Sequence, residues 1–168
     1  MGSILGNRVT RVEDPRFLTR GGEYVDAIHF PDEAWCAYVR SQYAHATIES
    51  IDVSEALAVP GVLGVFTAAD LSPLNPIPPS RPGLPEAMNR PILAIGRVRY
   101  VGEPVVAVVA ETQAIAADAA ELVIVDYNPL PAVIDVEQSA RDEIVIFDEV
   151  GSNAVVRFAT PNRVDFAE

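Results

Sequence analysis

Arg97-Val98-Arg99-Tyr100-Val101-Gly102-Glu103-Pro104-Val105-Val106-Ala107-Val108-Val109-Ala110-Glu111-Thr112 is the most informative stretch of the chain. These sixteen residues hold a turn, an apolar strand and a helix start. Gly102 tolerates dihedrals closed to other residues, while Pro104 fixes its own φ and biases Glu103 towards an extended conformation. Residues 105–110 carry no polar side chain, the pattern of a central strand buried on both faces. Thr112 suits the N-cap of the alanine-rich segment behind it.

A helix over 112–121 places Ile115, Ala119 and Leu122 on one face, and residues 122–125 read as the next strand. With so short a helix between them, the strands at 105–110 and 122–125 fit either one right-handed crossover unit or an antiparallel return. Residues 126–131 read as a turn, Asp135 as the start of a short helix reaching Ala140, and 144–147 as a last strand. Upstream, 34–41 and 46–51 are β-prone and read as an antiparallel pair joined through 42–45. Asp52 with Glu55 resembles a capping box opening a helix that Pro60-Gly61 closes, and 62–67 reads as a strand. Residues 92–100 regain β character after a loop at 72–91 rich in proline, a length usual for a functional loop, a docking surface or a poorly ordered segment. Ile77-Pro78-Pro79-Ser80-Arg81 within it is a weak polyproline-ligand motif, and an inserted surface loop is the favoured reading. Residues 1–33 mix charge signs without periodicity and read as an extended arm, with a short strand at Tyr24-Val25.

Composition narrows the function. The chain has 168 residues, 49% of them hydrophobic and 21% charged, which suits one folded domain and excludes a disordered polymer. The net charge is -12 and all twelve cations are arginine, which argues against a nucleic-acid groove or an anionic membrane surface. Cys36 is the one cysteine, so no internal disulfide forms, which fits a reducing cytoplasm. The N-terminus lacks the features of a signal peptide, and no apolar run reaches the ~18 residues of a membrane span. The expectation is a soluble, cytoplasmic protein.

Chemistry is sparse. No Gly-x-Gly-x-x-Gly, P-loop or Gly-x-Ser-x-Gly pattern occurs. His29 and His45 are the only histidines and do not pair with carboxylates at metal-ligand spacing. Cys36 and His45 form a conceivable nucleophilic pair on adjoining strands, weighed against a packed core cysteine beside Trp35. Glu103 is a conceivable acid or base if desolvated, weighed against a turn contact with Arg97 or Arg99. Arg8, Arg11, Glu13, Asp14 and Arg16 read as a salt-bridged arm before an anion site. No catalytic, cofactor-binding or metal residue is assigned.

An ordered series of segments carries a resemblance: residues 11–19, Tyr24-Val25-Asp26, 38–46, 51–62, 98–105 and 125–133. Together they resemble the N-terminal α/β-hammerhead region of the molybdenum-binding large subunit of the xanthine dehydrogenase, aldehyde oxidase and carbon monoxide dehydrogenase family. Arg20 departs from the glycine usual there, and Asp26-Ala27 replaces a more acidic pair; both touch turns. The resemblance implies an α+β hammerhead with a mixed sheet, two to three short helices and a long proline-rich loop. It implies an arm at 1–20, the hammerhead domain at 21–150, and a linker at 151–168 leading towards molybdopterin-binding domains. The chain is then a natural split subunit, a truncated product or an isolated domain. In such an enzyme molybdopterin, two-iron two-sulfur clusters and FAD do the chemistry, none of them bound by this segment. The implied partners are the molybdopterin-binding remainder of the large subunit and the iron-sulfur and flavin subunits, with no nucleic acid and no membrane. The implied function is a non-catalytic structural module of a molybdenum hydroxylase. The alternative is a free-standing protein-binding domain using the proline-rich loop or the arginine-containing arm.

Overall fold

In the computed structural model, which describes residues 6, 11–22, 24–25, 28–72 and 83–156, the chain divides into two units, Met1–Glu33 and Ala34–Glu168. The first contains helix α1, Asp14–Arg20, where an extended segment was expected. The local code explains it: Pro15 occupies the first turn, Asp14 supplies acidity at the N-terminal end, and Gly21 at φ 74° stops the helix. The Thr19 hydroxyl donates back to the Pro15 carbonyl at 2.6 Å. Tyr24-Val25 forms no strand, and the Ile28 amide donates to the Val25 carbonyl at 3.1 Å. In this unit Glu33 accepts from His29 Nδ1 at 2.7 Å and from the Phe30 amide at 3.0 Å.

Among its described residues the second unit holds six strands: β1 Trp35–Arg40, β2 Ala46–Asp52, β3 Val62–Phe66, β4 Arg97–Val98, β5 Pro104–Ala110 and β6 Ile124–Pro129. Its helices are α2 Ser54–Leu57, α3 Gln113–Glu121 and α4 Val136–Ala140. The strands make two three-stranded sheets, ordered β1-β5-β3 and β4-β2-β6, and every pairing is antiparallel. The apolar strand β5 is central, as its composition predicts. Val106, Val108 and Ala110 are fully buried on it and pair with Val39, Ala37 and Trp35 of β1. Helix α3 covers that side with Ala116 and Ala119, both at most 1% exposed. Thr112 caps α3 as expected, its Oγ1 accepting from the Ile115 amide at 3.2 Å.

Several local expectations are corrected. Strands β1 and β2 do not pair with each other; β1 joins β5, and β2 joins β4 and β6. The 42–45 link is therefore a passage between sheets. Neither a crossover nor a direct return joins β5 to β6, because the short α3 delivers the chain to the second sheet, where β6 pairs with β2. β6 starts two residues later than expected and runs through the presumed turn. Val125 and Tyr127 point inward and Asp126 and Asn128 outward, an alternation that outweighs the turn-forming composition. Pro129 is accommodated because β6 is an edge strand.

On α3 the inward face is Ala116 and Ala119, with Leu122 38% exposed after the helix end. Asp52 engages one residue earlier than a cap of α2: its Oδ1 accepts from the Ser54 amide at 2.9 Å, and Val53 is the N-cap. Asp135 caps α4 as expected, accepting from the Gln138 amide at 2.8 Å. Residues 144–147 form no strand; their backbone is held by Asn153, which accepts from the Ile146 amide at 2.8 Å and donates to the Ile144 carbonyl at 2.7 Å. Of the proline-rich loop, residues 73–82, including Ile77-Pro78-Pro79-Ser80-Arg81, lie outside the described residues; its later part carries a 3-10 turn at Glu86–Met88.

Candidate functional site

The Gly102-Glu103-Pro104 turn binds three segments together. Gly102 sits at φ 88°, a region L side chains avoid, and no atom lies within 4 Å of where a Cβ would stand. Its amide donates to the Ser41 carbonyl at 2.8 Å, and its carbonyl accepts from Arg40 Nη1 at 2.9 Å. The Glu103 carbonyl accepts from the Ser41 amide at 2.9 Å, and the Pro104 carbonyl from the Ala94 amide at 2.8 Å. The Glu103 side chain, 4% exposed, accepts from the Arg99 amide at 2.5 Å. The turn-contact reading of Glu103 therefore holds, with the backbone of Arg99 as the donor. Burial raises the Glu103 pKa above its ordinary value, opposed by that amide bond and by the charges of Arg99 and Arg90.

Aromatic and polar groups collect beside this turn. Tyr43 and Tyr127 meet with ring centroids 5.2 Å apart, and burial raises the Tyr127 pKa. The Ser41 hydroxyl donates to the Tyr43 carbonyl at 2.9 Å and accepts from its amide at 3.0 Å. His45, 5% exposed, places Nδ1 2.7 Å from the Pro131 carbonyl, which only accepts, so Nδ1 carries the proton in that bond. Arg97 pairs with Asp148 at 2.8 Å, and Arg99 lies over the Phe147 ring at 4.7 Å. These bonds pin the 144–148 segment and the passage after β6 to the second sheet. What they do chemically is hold chain segments in register.

The conceivable Cys36 and His45 pair is not assembled. Cys36 stands on β1 in one sheet, His45 precedes β2 in the other, and His45 is engaged by Pro131. Nor is Cys36 a packed core residue: it is exposed, because its position on β1 alternates with the inward Trp35 and Ala37. Of the N-terminal cluster, Arg8 lies outside the described residues; Arg11, Glu13 and Arg16 are exposed, and the Arg16 guanidinium lies 5.2 Å from the Phe17 ring centroid. Among the described residues no three His, Cys, Asp or Glu side chains gather to hold a metal ion. The single cysteine cannot supply the thiolates of an iron-sulfur cluster. An iron-sulfur cluster therefore has no ligand set in this chain, and no step is derived through a cluster or through molybdenum.

Two apolar surfaces escaped the sequence reading. One is a cleft of about 530 Å³ between the inner face of β2, at Ile48 and Ile51, and the segments at 67–72 and 91–96. The other is the outer face of the β1-β5-β3 sheet. Its only sequence signal was the absence of polar residues on β5, read as burial on both sides.

Residues 20–131 match the family model for the aldehyde oxidase and xanthine dehydrogenase a/b hammerhead domain. The chain is 46% identical over 132 residues to the carbon monoxide dehydrogenase large chain of Afipia carboxidovorans, covering 78% of this chain and 16% of that protein. It is 40% identical over 158 residues to the nicotine 6-hydroxylase large subunit of Paenarthrobacter nicotinovorans, covering 92% of this chain and 19% of that subunit. In structure it is similar to quinoline 2-oxidoreductase from Pseudomonas putida 86, with a TM-score of 0.73 at 40% identity over 86% of this chain and 19% of that one. The chain thus spans under a fifth of the length of these relatives, whose matching part is one segment of a larger enzyme. Its two antiparallel sheets with short helices are an α+β hammerhead, and the chain belongs to the aldehyde oxidase and xanthine dehydrogenase hammerhead family.

Proposed function

We propose that this chain is a non-catalytic structural and assembly module of a molybdenum hydroxylase, acting by packing against the cofactor-bearing domains. The supporting observation is the hammerhead match over residues 20–131 within relatives several times longer. In this reading the hammerhead occupies 21–150, after an arm at 1–20 and before a connection at 151–168. Its partners are the molybdopterin-binding remainder of a large subunit and the iron-sulfur and flavin subunits, in the cytoplasm. Molybdopterin, two-iron two-sulfur clusters and FAD supply the redox chemistry, and they reside in those partners. Among the described residues no helix is long and apolar enough to cross a membrane.

The test is metal and flavin analysis of the purified 168-residue chain, with dye reduction assayed on an aldehyde, a purine and carbon monoxide. The expected result is no molybdenum, no flavin and no turnover from the chain alone, and capture of a molybdenum-containing polypeptide from its own cells. Turnover by the chain alone, or capture of only an unrelated protein, defeats the reading.

A further inference from the structure

The pairing of the two sheets is continuous in register. β1 pairs with β5 from Trp35 opposite Ala110 to Arg40 opposite Pro104, and β2 pairs with β4 at Ala46 opposite Val98 and Thr47 opposite Arg97. Between these blocks lie 41–45 on one side and 99–103 on the other, stretches of equal length, so the ladder resumes at the offset where it stopped. The two sheets thus share one antiparallel ribbon, bent at a corner where both of its strands change sheet. A register shift between Val39 and Arg40 marks the approach to the bend.

The corner is built unlike the arms of the ribbon. Val105, Val106, Val108 and Ala110 are fully buried on β5, whereas Ser41, His45 and Glu103, the buried polar side chains among the described residues, all stand on the corner. The Ser41 amide donates to the Glu103 carbonyl at 2.9 Å, and the Gly102 amide to the Ser41 carbonyl at 2.8 Å. The Arg99 amide donates to the Glu103 side chain, which so closes the 99–103 crossing on itself. On the other crossing the Ser41 hydroxyl bonds the Tyr43 backbone, and the His45 ring bonds the Pro131 carbonyl.

Charged and titratable groups face Glu103 from three sides: Arg99 on its own crossing, Arg90 on the segment before β4, and Tyr127 on β6. Arg99 lays its guanidinium over the Phe147 ring and Arg90 is exposed, so among the described residues the buried carboxyl has an amide donor and no salt bridge. Such a site accommodates a neutral carboxyl and penalises a charged one. Burial accordingly holds the Glu103 pKa above its ordinary value.

We infer that 41–45 and 99–103 open and shut as one local unit, a corner between the sheets whose proton-operated latch is the Glu103 carboxyl. Protonated, Glu103 keeps the corner shut; ionised, it favours the open corner, where water solvates the charge. Opening restores the ordinary carboxyl value, so the corner is tightest below about pH 4.5 and loosens as pH rises through the raised closed-state value. The inference is independent of which polypeptide the module packs against.

The amides of Ser41, Arg99 and Gly102 are native reporters, because each bonds an acceptor within the corner. Their hydrogen exchange is read by NMR on the full chain from about pH 4.5 to about pH 7.5, each rate divided by its intrinsic chemical rate. The expected protection falls together at all three amides, by at least about threefold as pH rises, and the fall disappears in Glu103→Gln. The Val106 and Val108 amides of β5 should stay at least about tenfold better protected throughout. Protection independent of pH in the wild type overturns the inference without recourse to any variant. A fall that persists in Glu103→Gln assigns the titration to another group, such as His45, and also overturns it. Corner amides that exchange at the β5 rate at every pH show that no local unit opens, and overturn it as well.

Discussion

Glu103 illustrates how one buried side chain fixes a turn and takes on a pH signature. Its pKa is raised by burial above the ordinary value of 4.5. The protonated form is therefore the one that folding favours, and its contribution is fully present below about pH 4.5 and lost as pH rises through the raised folded value. Glu103→Gln keeps an acceptor for the Arg99 amide and removes the charge. We predict that urea unfolding from pH 4 to 7 shows the variant gaining on the wild type as pH rises; parallel profiles would defeat this. Gly102 makes a separate test, because a Cβ there meets nothing and only the positive φ opposes it. Gly102→Ala should cost about 1–2 kcal/mol, read by the denaturant midpoint, with Gly102→Asn costing less. At Gly61, φ 89°, the same change also meets Ile115 Cδ1 at 2.8 Å and should cost more.

At the scale of elements, α3 is short and fits closely because its inward residues are alanines. Ala119 is fully buried, so Ala119→Leu forces the helix off the sheet and should destabilise by about 1–3 kcal/mol, measurable as a lowered melting temperature. Thr112→Ala removes the acceptor for the Ile115 amide and should cost about 1 kcal/mol. The elements also divide into those with a local code and those without one. α3 and α4 carry their caps in sequence at Thr112 and Asp135, and both helices stand where those residues imply. β6 had no local code strong enough to oppose Asp126, Asn128 and Pro129, because the gain that makes it a strand is its pairing with β2. Likewise Ile144 and Ile146 look strand-like, yet Asn153 takes their backbone groups before any strand does.

On the scale of the molecule, the apolar outer face of one sheet and the polar face of the other make one side prone to association. Replacing Tyr38 and Phe66 together by Thr suits a sheet surface. The double variant should keep its fold, read by circular dichroism, and bind less of a fluorescent apolar dye than the wild type. Unchanged dye binding would mean that this face is inert in the isolated chain. The candidate site was legible mainly as an absence. No phosphate loop, nucleophile elbow or metal spacing stood in the sequence, whereas the cleft by Ile48 and Ile51 depends on segments distant in sequence.

By itself the sequence determined the central strand β5, the caps of α3 and α4, the turn at Gly102-Glu103-Pro104 and the family resemblance. Each rests on neighbours in the chain: an unbroken apolar run, a hydroxyl or carboxylate before a helix, a glycine before a proline, an ordered series of segments. Tertiary structure alone decided that β1 and β2 belong to different sheets, that Cys36 faces outward away from His45, and that one face of β5 is left open. The physical reason is that strand partnership is settled by contacts far apart in sequence. A run such as Val105-Val106-Ala107-Val108-Val109-Ala110 shows that both faces shun water without showing what covers either.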